Sequence, residues 1–447
     1  MKKKMYAMCL FAGITTVLLS GCGKETTPST AASQVQTVAP DRGGEEETVI
    51  RFGIHVADPK AQEAVTYEIV NAFNEKFQGE YRVEFEAAEK SAHSTNLKLK
   101  ATDGTLPEVF WVDAAEAPEY AEAGVILDLQ EFLSQNEATD KALDDSTKAA
   151  FQKDGMQYGL PYQSNVEGFF YHKKVFADNG MEAPVNGTTF EEFLTMAEAL
   201  NAAGIIPIAQ GSTDTYAIWA FLAVLDRYGY SDYIDAILAG EEKFNNPNLV
   251  ACFEKLKQLG EASAFPSNMS TLSYFDAKEQ FKAGNAALFD TGAWDCAELD
   301  EALGENVGFW WGPTFGDSTY KQERAMKVPS APLCVNQAIS QNEHTKAAVY
   351  AFLEFYYSEE AAQITYAGSA FPSTNYSGIQ VKEEQHALKA VLAALDEGWE
   401  SPSAQPDLVI SSSVQAQLYD SMLGVMLGNY EPEEALDKID KQQGYAN

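Results

Sequence analysis

The chain has 447 residues, of which 45% are apolar, and it carries 31 Lys and Arg against 66 Asp and Glu, a formal net charge of −35. This length is too great for one ordinary hydrophobic core and predicts roughly two globular domains. The excess of acidic groups argues against nucleic acid as a partner, because phosphate binding needs clustered cations, and it provides no attraction to anionic lipid head groups.

The first predicted element is a cleavable leader. Lys2 to Lys4 precede an apolar run from Met8 to Leu19, which is too short to remain as a membrane span. The run ends in Leu19-Ser20-Gly21-Cys22, a tetrad that resembles the bacterial lipobox, in which the cysteine is lipidated and becomes N-terminal. We therefore predict a lipoprotein signal peptide at 1-21, lipidation at Cys22 and an extracytoplasmic protein that is lipid-anchored to the cell membrane. An ordinary secretory peptide with a cysteine at this position is the alternative.

The segment after the leader, residues 22-47, has the composition of a flexible tether. It is rich in Thr, Ser, Ala, Gln and Gly and contains almost no aliphatic anchor. No later stretch is both long and apolar enough to cross a bilayer, so we expect the rest of the chain to be soluble and displayed outside the cell.

Alternating strand and helix patterns begin at Thr48. Strands are predicted over 49–54, around Val83 and over 108–112, and a helix between the first two has apolar residues at every fourth position. This order predicts a mainly parallel sheet covered by helices. Groups that act on a ligand are then expected at the carboxyl ends of the strands.

The stretch 155–176 mixes strand residues with polar groups that a buried strand does not need. Gly159 and Pro161 break it, Asn165 and Glu167 follow, and an aromatic strand pattern then resumes. A strand that leaves one core and enters another would have this composition, so we predict an interdomain crossing with a cleft beside it. An edge strand with a loop is the alternative.

Beyond the crossing the pattern predicts a second domain. Thr188 and Glu191 are spaced as a capping box, and strands are predicted over 205–209 and 286–289. The sharp turn at 290–294 is interpreted as a second crossing, after which 307–311 is predicted to return to the first domain as a strand. These elements give an N-terminal lobe of 48-160 plus 296-357 and a C-terminal lobe of 161-295 plus 358-447.

The sequence contains none of the common motifs of catalytic or cofactor sites. Its five histidines have no metal-ligand spacing, and it has neither a G-x-S-x-G motif nor a Gly-rich phosphate loop. Cys252, Cys296 and Cys334 are far apart and odd in number, so we expect small core residues, with one disulfide between two of them left open. We predict no metal, no cofactor and no enzymatic activity.

Aromatic residues alternate with polar ones at the predicted strand ends and turns. A sugar ring has apolar C–H faces and a rim of hydroxyls, so aromatic rings together with carboxylate or amide side chains bind it well. For any one of these residues, core packing or a solvated surface position is the alternative. The predicted ligand-binding residues are Asp58, Trp111, Asp113, Tyr162, Asn165, Glu167, Asp214, Tyr216, Trp219, Trp294, Asp295 and Trp311.

Several segments together resemble the extracellular solute-binding lipoproteins of ABC importers, in the carbohydrate-specific group that includes maltose-binding protein. They occur in the family's order over most of the mature chain, and they are DGTLPEVFWVD at 103–113, YGLPYQSNVEGFFYHK at 158–173, the helix at 189–200, GIIPIAQG at 204–211, FKAGNAALFDTGAW at 281–294 and the segment 367–374.

The resemblance implies an α/β, two-lobed periplasmic-binding-protein-like fold with a ligand cleft between the lobes. By position it implies that Trp294 stacks on the ligand, that Asp113 is the carboxylate after the FW strand and that Asn165 contacts sugar from the hinge strand. It also matches Tyr216 to the aromatic residue of the second lobe and Asp58 to the acidic residue after the first strand.

The resulting hypothesis is a substrate-binding lipoprotein that captures a sugar or oligosaccharide and delivers it to the transmembrane subunits of an ABC permease. We expect a monomer that binds a carbohydrate ligand, contacts the membrane through Cys22 and binds no nucleic acid. A surface-anchored glycoside hydrolase is one alternative, because 66 carboxylates leave room for a catalytic pair. A solute-binding protein for a peptide, a polyamine or a metal is the other.

Overall fold

The computed structural model describes residues 47–143, 145–213, 218–376, 378 and 380–445. The predicted signal peptide, Cys22 and the predicted tether up to residue 46 lie outside the described residues, as do Asp214 and Tyr216. Within the described ranges, no helix combines the length and the apolar character that a membrane crossing requires.

The described residues alternate between short strands and helices. The strands are β1 (Thr48–Ile54), β2 (Tyr81–Ala87), β3 (Val109–Trp111), β4 (Gln152–Lys153), β5 (Met156–Gln157), β6 (Leu160–Pro161), β7 (Ser164–His172), β8 (Ile206–Ala209), β9 (Ala286–Gly292), β10 (Val307–Trp310), β11 (Lys327–Pro329) and β12 (Pro332–Val335).

Helices connect and cover these strands. They are α1 (Pro59–Gln62), α2 (Ala64–Lys76), α3 (Lys90–Asp103), α4 (Ala117–Glu122), α5 (Gln130–Gln135), α6 (Glu137–Ala142), α7 (Asp145–Ala149), α8 (Lys173–Asp178), α9 (Phe190–Ala202), α10 (Trp219–Asp226), α11 (Tyr230–Leu238), α12 (Pro247–Glu261), α13 (Tyr274–Lys282), α14 (Cys296–Leu303), α15 (Glu343–Tyr356), α16 (Glu359–Ala367), α17 (His386–Asp396), α18 (Ser412–Met426) and α19 (Pro432–Gln443).

One five-stranded sheet has the order β2-β1-β3-β12-β6, and we call it and the helices packed on it the first lobe. β1 pairs in parallel with β2 and β3, as the strand–helix–strand pattern predicts. The apolar side chains of β1 pack against α2 and α15. The ring centroid of Phe352 on α15 lies 5.7 Å from that of Phe52 on β1 and 5.3 Å from that of Phe73 on α2. The carboxyl ends of β1 and β3 therefore point to the same edge of this sheet.

A second sheet has the order β10-β7-β9-β8, with β11 paired to the first residues of β7, and we call it and its helices the second lobe. β8 and β9 are parallel, so their carboxyl ends also share one edge. Each sheet has its own core of buried apolar residues. Two sheets with separate cores agree with the predicted two-lobed α/β class.

Paired segments connect the two sheets. The first segment runs from β6 to β7 and the second from β11 to β12. Hydrogen bonds join the two segments: Ser330 N–H donates to the Gln163 carbonyl at 2.9 Å, and Tyr162 N–H donates to the Ala331 carbonyl at 3.1 Å. A third crossing follows α16, where Ser164 N–H donates to the Phe371 carbonyl at 3.1 Å. Because α16 packs on α2 of the first lobe, the predicted start of the second C-terminal lobe segment at residue 358 is too early. The predicted crossing within 155–176 is therefore confirmed as the β6–β7 connection.

The predicted second crossing at 290–294 is wrong. β9 continues to Gly292, and the chain stays in the second lobe through α14 and β10, because β10 pairs antiparallel with β7. Phe309 of β10 packs edge-to-face on Phe170 of β7 with ring centroids 5.0 Å apart. The return to the first sheet comes only after β11, so residues 296–329 belong with the second sheet and not the first.

Two smaller predictions have different outcomes. The helix α9 is capped by Thr189 with Glu192, one residue later than predicted, because Thr188 instead places its hydroxyl within 3.1 Å of the Val185 N–H. The expectation for the three cysteines after the tether is confirmed: Cys252, Cys296 and Cys334 are free and fully buried.

Candidate functional site

The edges formed by the carboxyl ends of the parallel strands carry most of the predicted ligand-binding residues. In the first lobe Trp111 ends β3 and Asp113 lies two residues beyond it. In the second lobe Trp294 follows β9, and Asn165 and Glu167 lie on β7 just past the crossing. Ligands of open α/β sheets bind at this end of the strands.

Trp111 is held by histidines. The imidazole of His55, the residue directly after β1, stacks on the indole with centroids 4.1 Å apart and an angle of 21°. The Nε2 of His93 lies 2.7 Å from the Trp111 carbonyl oxygen. Burial, with the nearby charge of Lys90, lowers the pKa of His55 to about 3, so its ring is neutral at physiological pH and stacks as an uncharged aromatic group.

Asp113 lies at the mouth of the same edge. Its Oδ2 is 3.2 Å from the Lys90 Nζ, and its Oδ1 accepts the Ala115 N–H at 3.1 Å. The Lys90 ammonium also lies 5.8 Å from the centroid of the Trp111 ring. The carboxylate and the ammonium are partly exposed and can offer an acceptor and donors to a ligand, whereas the Trp111 residue is only 8% exposed and its indole is covered by His55 on one face.

In the second lobe, Trp294 belongs to a cluster of three rings. Its indole packs edge-to-face on Trp219 at 4.8 Å, and Tyr274 packs edge-to-face on Trp219 at 5.8 Å. The Trp294 Nε1–H donates to the Tyr274 hydroxyl at 3.1 Å. We call Trp219, Tyr274 and Trp294 the aromatic cluster.

Gly292 leaves room for the Trp294 ring to lie against the backbone. A Cβ on Gly292 would lie 2.2 Å from a carbon of the Trp294 ring, so the indole lies directly on the end of β9. Asp295 holds the aromatic cluster in place. Its Oδ2 accepts hydrogen bonds from the hydroxyls of Tyr274 and Thr291, and its Oδ1 lies 3.2 Å from the Lys278 Nζ. At 5% exposure, Asp295 positions Tyr274 and is itself almost enclosed.

Amide and carboxyl groups lie between the lobes beside the crossing. The Asn165 Nδ2 is 3.5 Å from the Glu167 Oε1 and 3.4 Å from the Gln405 Oε1. Glu167 is fully buried, and burial, followed by the charges of Asp407 and Asp290, raises its pKa well above the usual value. Burial thus makes this carboxyl harder to ionise than an exposed glutamate.

A cavity of about 330 Å³ is lined by residues of both lobes and adjoins Gln405; Trp111, Asp113 and the aromatic cluster are not part of its lining. From the first lobe Ala114, Phe151 and Tyr158 line it, and from the second lobe Gln405 and Ile410. Among the described residues that line it, no side chain is charged, although the chain as a whole is strongly acidic. This volume and lining suit a neutral organic ligand.

Three of the predicted residues have other partners. Asp58 is exposed and caps α1, accepting the Ala61 N–H at 3.2 Å. Tyr162 is 3% exposed, and its hydroxyl bonds to Glu63 and Thr66, which anchors the crossing to α2. Trp311 is fully enclosed in the second-lobe core, where its Nε1–H lies 3.3 Å from the Ala394 carbonyl oxygen, so its position does not support a ligand contact.

Sequence reasoning missed several residues that the fold brings to this edge. His55 and Lys90 flank Trp111, Tyr274 completes the aromatic cluster, and Gln405 lines the cavity. His55 carried a usable signal, because it follows β1 as Asp113 follows β3. Tyr274 contacts Trp294 from α13, and Gln405 lines the cavity from the segment before α18; both are far from the predicted strand ends in sequence, and no local pattern marks them.

The described residues contain no group of three or more His, Cys, Asp or Glu side chains arranged to hold a metal ion.

A family model for the bacterial extracellular solute-binding proteins matches residues 68–390, well over half of the chain. This chain belongs to that family.

Among curated proteins, this solute-binding protein is similar to the multiple sugar-binding protein of Streptococcus mutans serotype c. The two are 22% identical over 294 residues, which cover 63% of each chain, so the match spans a little less than two thirds of that relative's length.

Solved structures of similar shape cover 90% of the chain. A chitin oligosaccharide binding protein superposes with a TM-score of 0.77 at 25% identity and is covered over 99% of its length. The GacH receptor of Streptomyces glaucescens, solved without ligand and with acarbose, superposes with a TM-score of 0.70 at 18% identity over its full length. The predicted fold class and the predicted family are both confirmed.

Proposed function

We propose that this solute-binding protein captures a neutral sugar or oligosaccharide between its lobes and delivers it to an ABC permease. The observation that carries the proposal is the aromatic cluster at the carboxyl ends of the second sheet, with Trp111 and Asp113 at the equivalent edge of the first. Aromatic faces beside carboxylate, amide and hydroxyl groups match the apolar faces and hydroxyl rim of a pyranose ring.

Two similar proteins support this class of ligand, since one is a multiple sugar-binding protein and the other a chitin oligosaccharide binding protein. The cavity beside Gln405, which both lobes line, carries no charged side chain, and this favours a neutral ligand over a polyamine or a metal ion at that place.

Binding in this proposal is coupled to motion of the lobes. The ligand contacts both lobes only when they are closed, so it shifts the equilibrium toward the closed form. The hydrogen-bonded crossings at Gln163 and Ser330 act as the hinge, because they are the short segments that join the two sheets. The closed form then presents both lobes to the permease, and no bond of the sugar is broken.

The N-terminal part of the proposal rests on sequence alone. Cleavage before Cys22 and lipidation of its sulfur would hold a monomeric receptor at the outer face of the cell membrane, with residues 22-47 as the tether. The transmembrane subunits of the permease are the protein partner in this arrangement.

A carbohydrate screen with Trp294→Ala tests the proposal. The purified mature protein is screened by thermal shift against chitin-, xylan- and maltose-type oligosaccharides, and affinities are then measured by calorimetry. Trp294→Ala should weaken binding by at least about 2 kcal/mol, roughly thirtyfold, because it removes the stacking face. The unliganded variant should melt within about 4 °C of the wild type, since this ring is only half-buried.

Leu99→Ala is the matched control, because Leu99 is 60% exposed on α3. This substitution should change neither the affinity for the sugar nor the melting temperature of the unliganded protein. A large loss of stability without ligand would instead make Trp294 a core residue, and a wild-type protein that binds no carbohydrate would refute the proposal. Chromatography of the incubated sugars separates binding from hydrolysis, because only an enzyme would release shorter products.

A further inference from the structure

Phe275 is the one aromatic residue among the large hydrophobic side chains that are exposed in the described part of the chain. It is the second residue of α13 and is 59% exposed. An exposed aromatic ring that adjoins a candidate sugar site offers an apolar face on which a pyranose ring can stack.

The Phe275 ring continues the aromatic cluster toward the solvent. It packs edge-to-face on Tyr274 with centroids 5.3 Å apart and an angle of 79°. Tyr274 in turn bonds to the Trp294 indole and packs on Trp219. The four rings therefore form a continuous series that begins half-buried at the end of β9 and ends on the surface.

The start of α13 lies at the ligand-facing edge of the second sheet. The Ser212 and Thr213 N–H groups, which follow β8, donate to the Leu272 carbonyl at 3.0 and 3.1 Å. Ser273 then caps α13 in a capping box with Asp276. The backbone that carries Phe275 is thus fixed to the same strand ends that carry the site.

A buried cation lies close to the Phe275 ring. The Lys278 Nζ lies 5.2 Å from the centroid of Phe275 and 5.6 Å from that of Tyr274, and it is held by Asp295 at 3.2 Å. Cation–π attraction to both rings keeps them in one orientation. The exposed face of Phe275 is therefore preorganised and loses little entropy on binding.

We propose that Phe275 is an outer stacking platform, and that the ligand is an oligosaccharide whose chain extends from the aromatic cluster onto this ring. The inference rests on the proposed function and sharpens it, because a monosaccharide or disaccharide held at Trp294 would leave Phe275 unused. The apolar face of the next pyranose unit is the occupant that fits a flat, exposed ring beside a sugar site.

The test uses length-matched oligosaccharides. Calorimetry is carried out with the chitin, xylan and maltose series from dimer to hexamer on the wild type, Phe275→Ala, Phe275→Tyr and Val185→Ala. Phe275→Ala should bind the longest ligand of the recognised series about three- to tenfold more weakly, as expected for loss of one aromatic contact, with unchanged affinity for the shortest. Phe275→Tyr should keep wild-type affinity, and Val185→Ala, at 67% exposure outside the cluster, is the control.

Each other outcome overturns the inference. A wild type that binds only the shortest members shows that the ligand does not reach Phe275, and an equal loss at every length assigns Phe275 to support of Tyr274. Wild-type affinity of Phe275→Ala for every member shows that the ring contacts no sugar. Absence of any carbohydrate binding by the wild type is a different result, because it refutes the proposed function before the variants are compared.

Discussion

Asp290 is a buried carboxyl group that makes stability depend on pH. It is 2% exposed on β9, its Oδ1 accepts the Ala220 N–H at 2.6 Å, and burial raises its pKa to about 7. The acidic groups that face it are Glu167 on β7 and, beyond Glu167, Asp407. In the unfolded chain Asp290 ionises near pH 4.

The sign of the effect follows from proton binding. Between about pH 4 and pH 7 the folded protein keeps a proton on Asp290 that the unfolded chain has lost. Stability therefore falls as the pH rises through this window, by up to about 1.4 kcal/mol per pH unit from this group.

Asp290→Asn should remove this dependence. The amide oxygen still accepts the Ala220 N–H, and the side chain cannot ionise. We expect the variant to match the wild type near pH 4 and to be more stable at pH 8, as measured by urea unfolding at both pH values. A variant that is less stable than the wild type at pH 8 would show that Asp290 is ionised in the folded protein and that its negative charge stabilises the fold.

At the scale of elements, β7 organises the second lobe. Its first residues pair with β11, its later residues pair with β10 on one edge and with β9 on the other, and it begins at the crossing. Gly168 is essential to this arrangement, because a Cβ there would lie 2.5 Å from the Phe309 ring and 3.0 Å from the Trp310 carbonyl oxygen.

Gly168→Ala should destabilise the protein by about 1–3 kcal/mol, since the added methyl group forces β10 away from β7. Gly316→Ala is the control, because a Cβ at Gly316 has no neighbour within 4 Å. Chemical unfolding of both variants measures the difference. Equal stability would mean that the Phe309 ring rotates away at little cost and that the β7–β10 contact is loose.

At the scale of the molecule, the predicted closure can be followed by fluorescence transfer between the lobes. The native cysteines Cys252, Cys296 and Cys334 are fully buried, so maleimide dyes should react only at cysteines introduced at exposed sites. Leu99 of the first lobe and Leu238 of the second are 60% and 40% exposed and suit this purpose.

Mature protein with Cys22→Ala, Leu99→Cys and Leu238→Cys should change its transfer efficiency when the recognised oligosaccharide saturates it, because the ligand stabilises the form in which both lobes contact it. Addition of Trp294→Ala should shift the midpoint to higher ligand concentration and leave the end point unchanged. An unaltered efficiency at saturation would show that the lobes bind the sugar without moving.

Local sequence determined the class of fold and the positions of the strand ends at which the proposed site lies. The apolar patterns of the sequence predict the parallel strands β1, β2 and β3 and the helix between the first two. They also locate the ends of β3 and β9, and Asp113 and Trp294 come two residues after those ends in the chain. These features depend on residues close together in the chain, so their spacing is enough to predict them.

Only the tertiary structure decided which sheet each later strand joins and which aromatic residues are enclosed in a core. The stretch at 307–311 is apolar on both faces, so its sequence would fit either sheet. Phe309 pairs with Phe170 of β7, which is far away in sequence, and this pairing places the strand in the second sheet. Trp311 and Trp294 have similar local surroundings, yet one is enclosed in a core and the other lies at a strand end beside Tyr274. Contacts between residues far apart in sequence set these outcomes, and a local pattern does not contain that information.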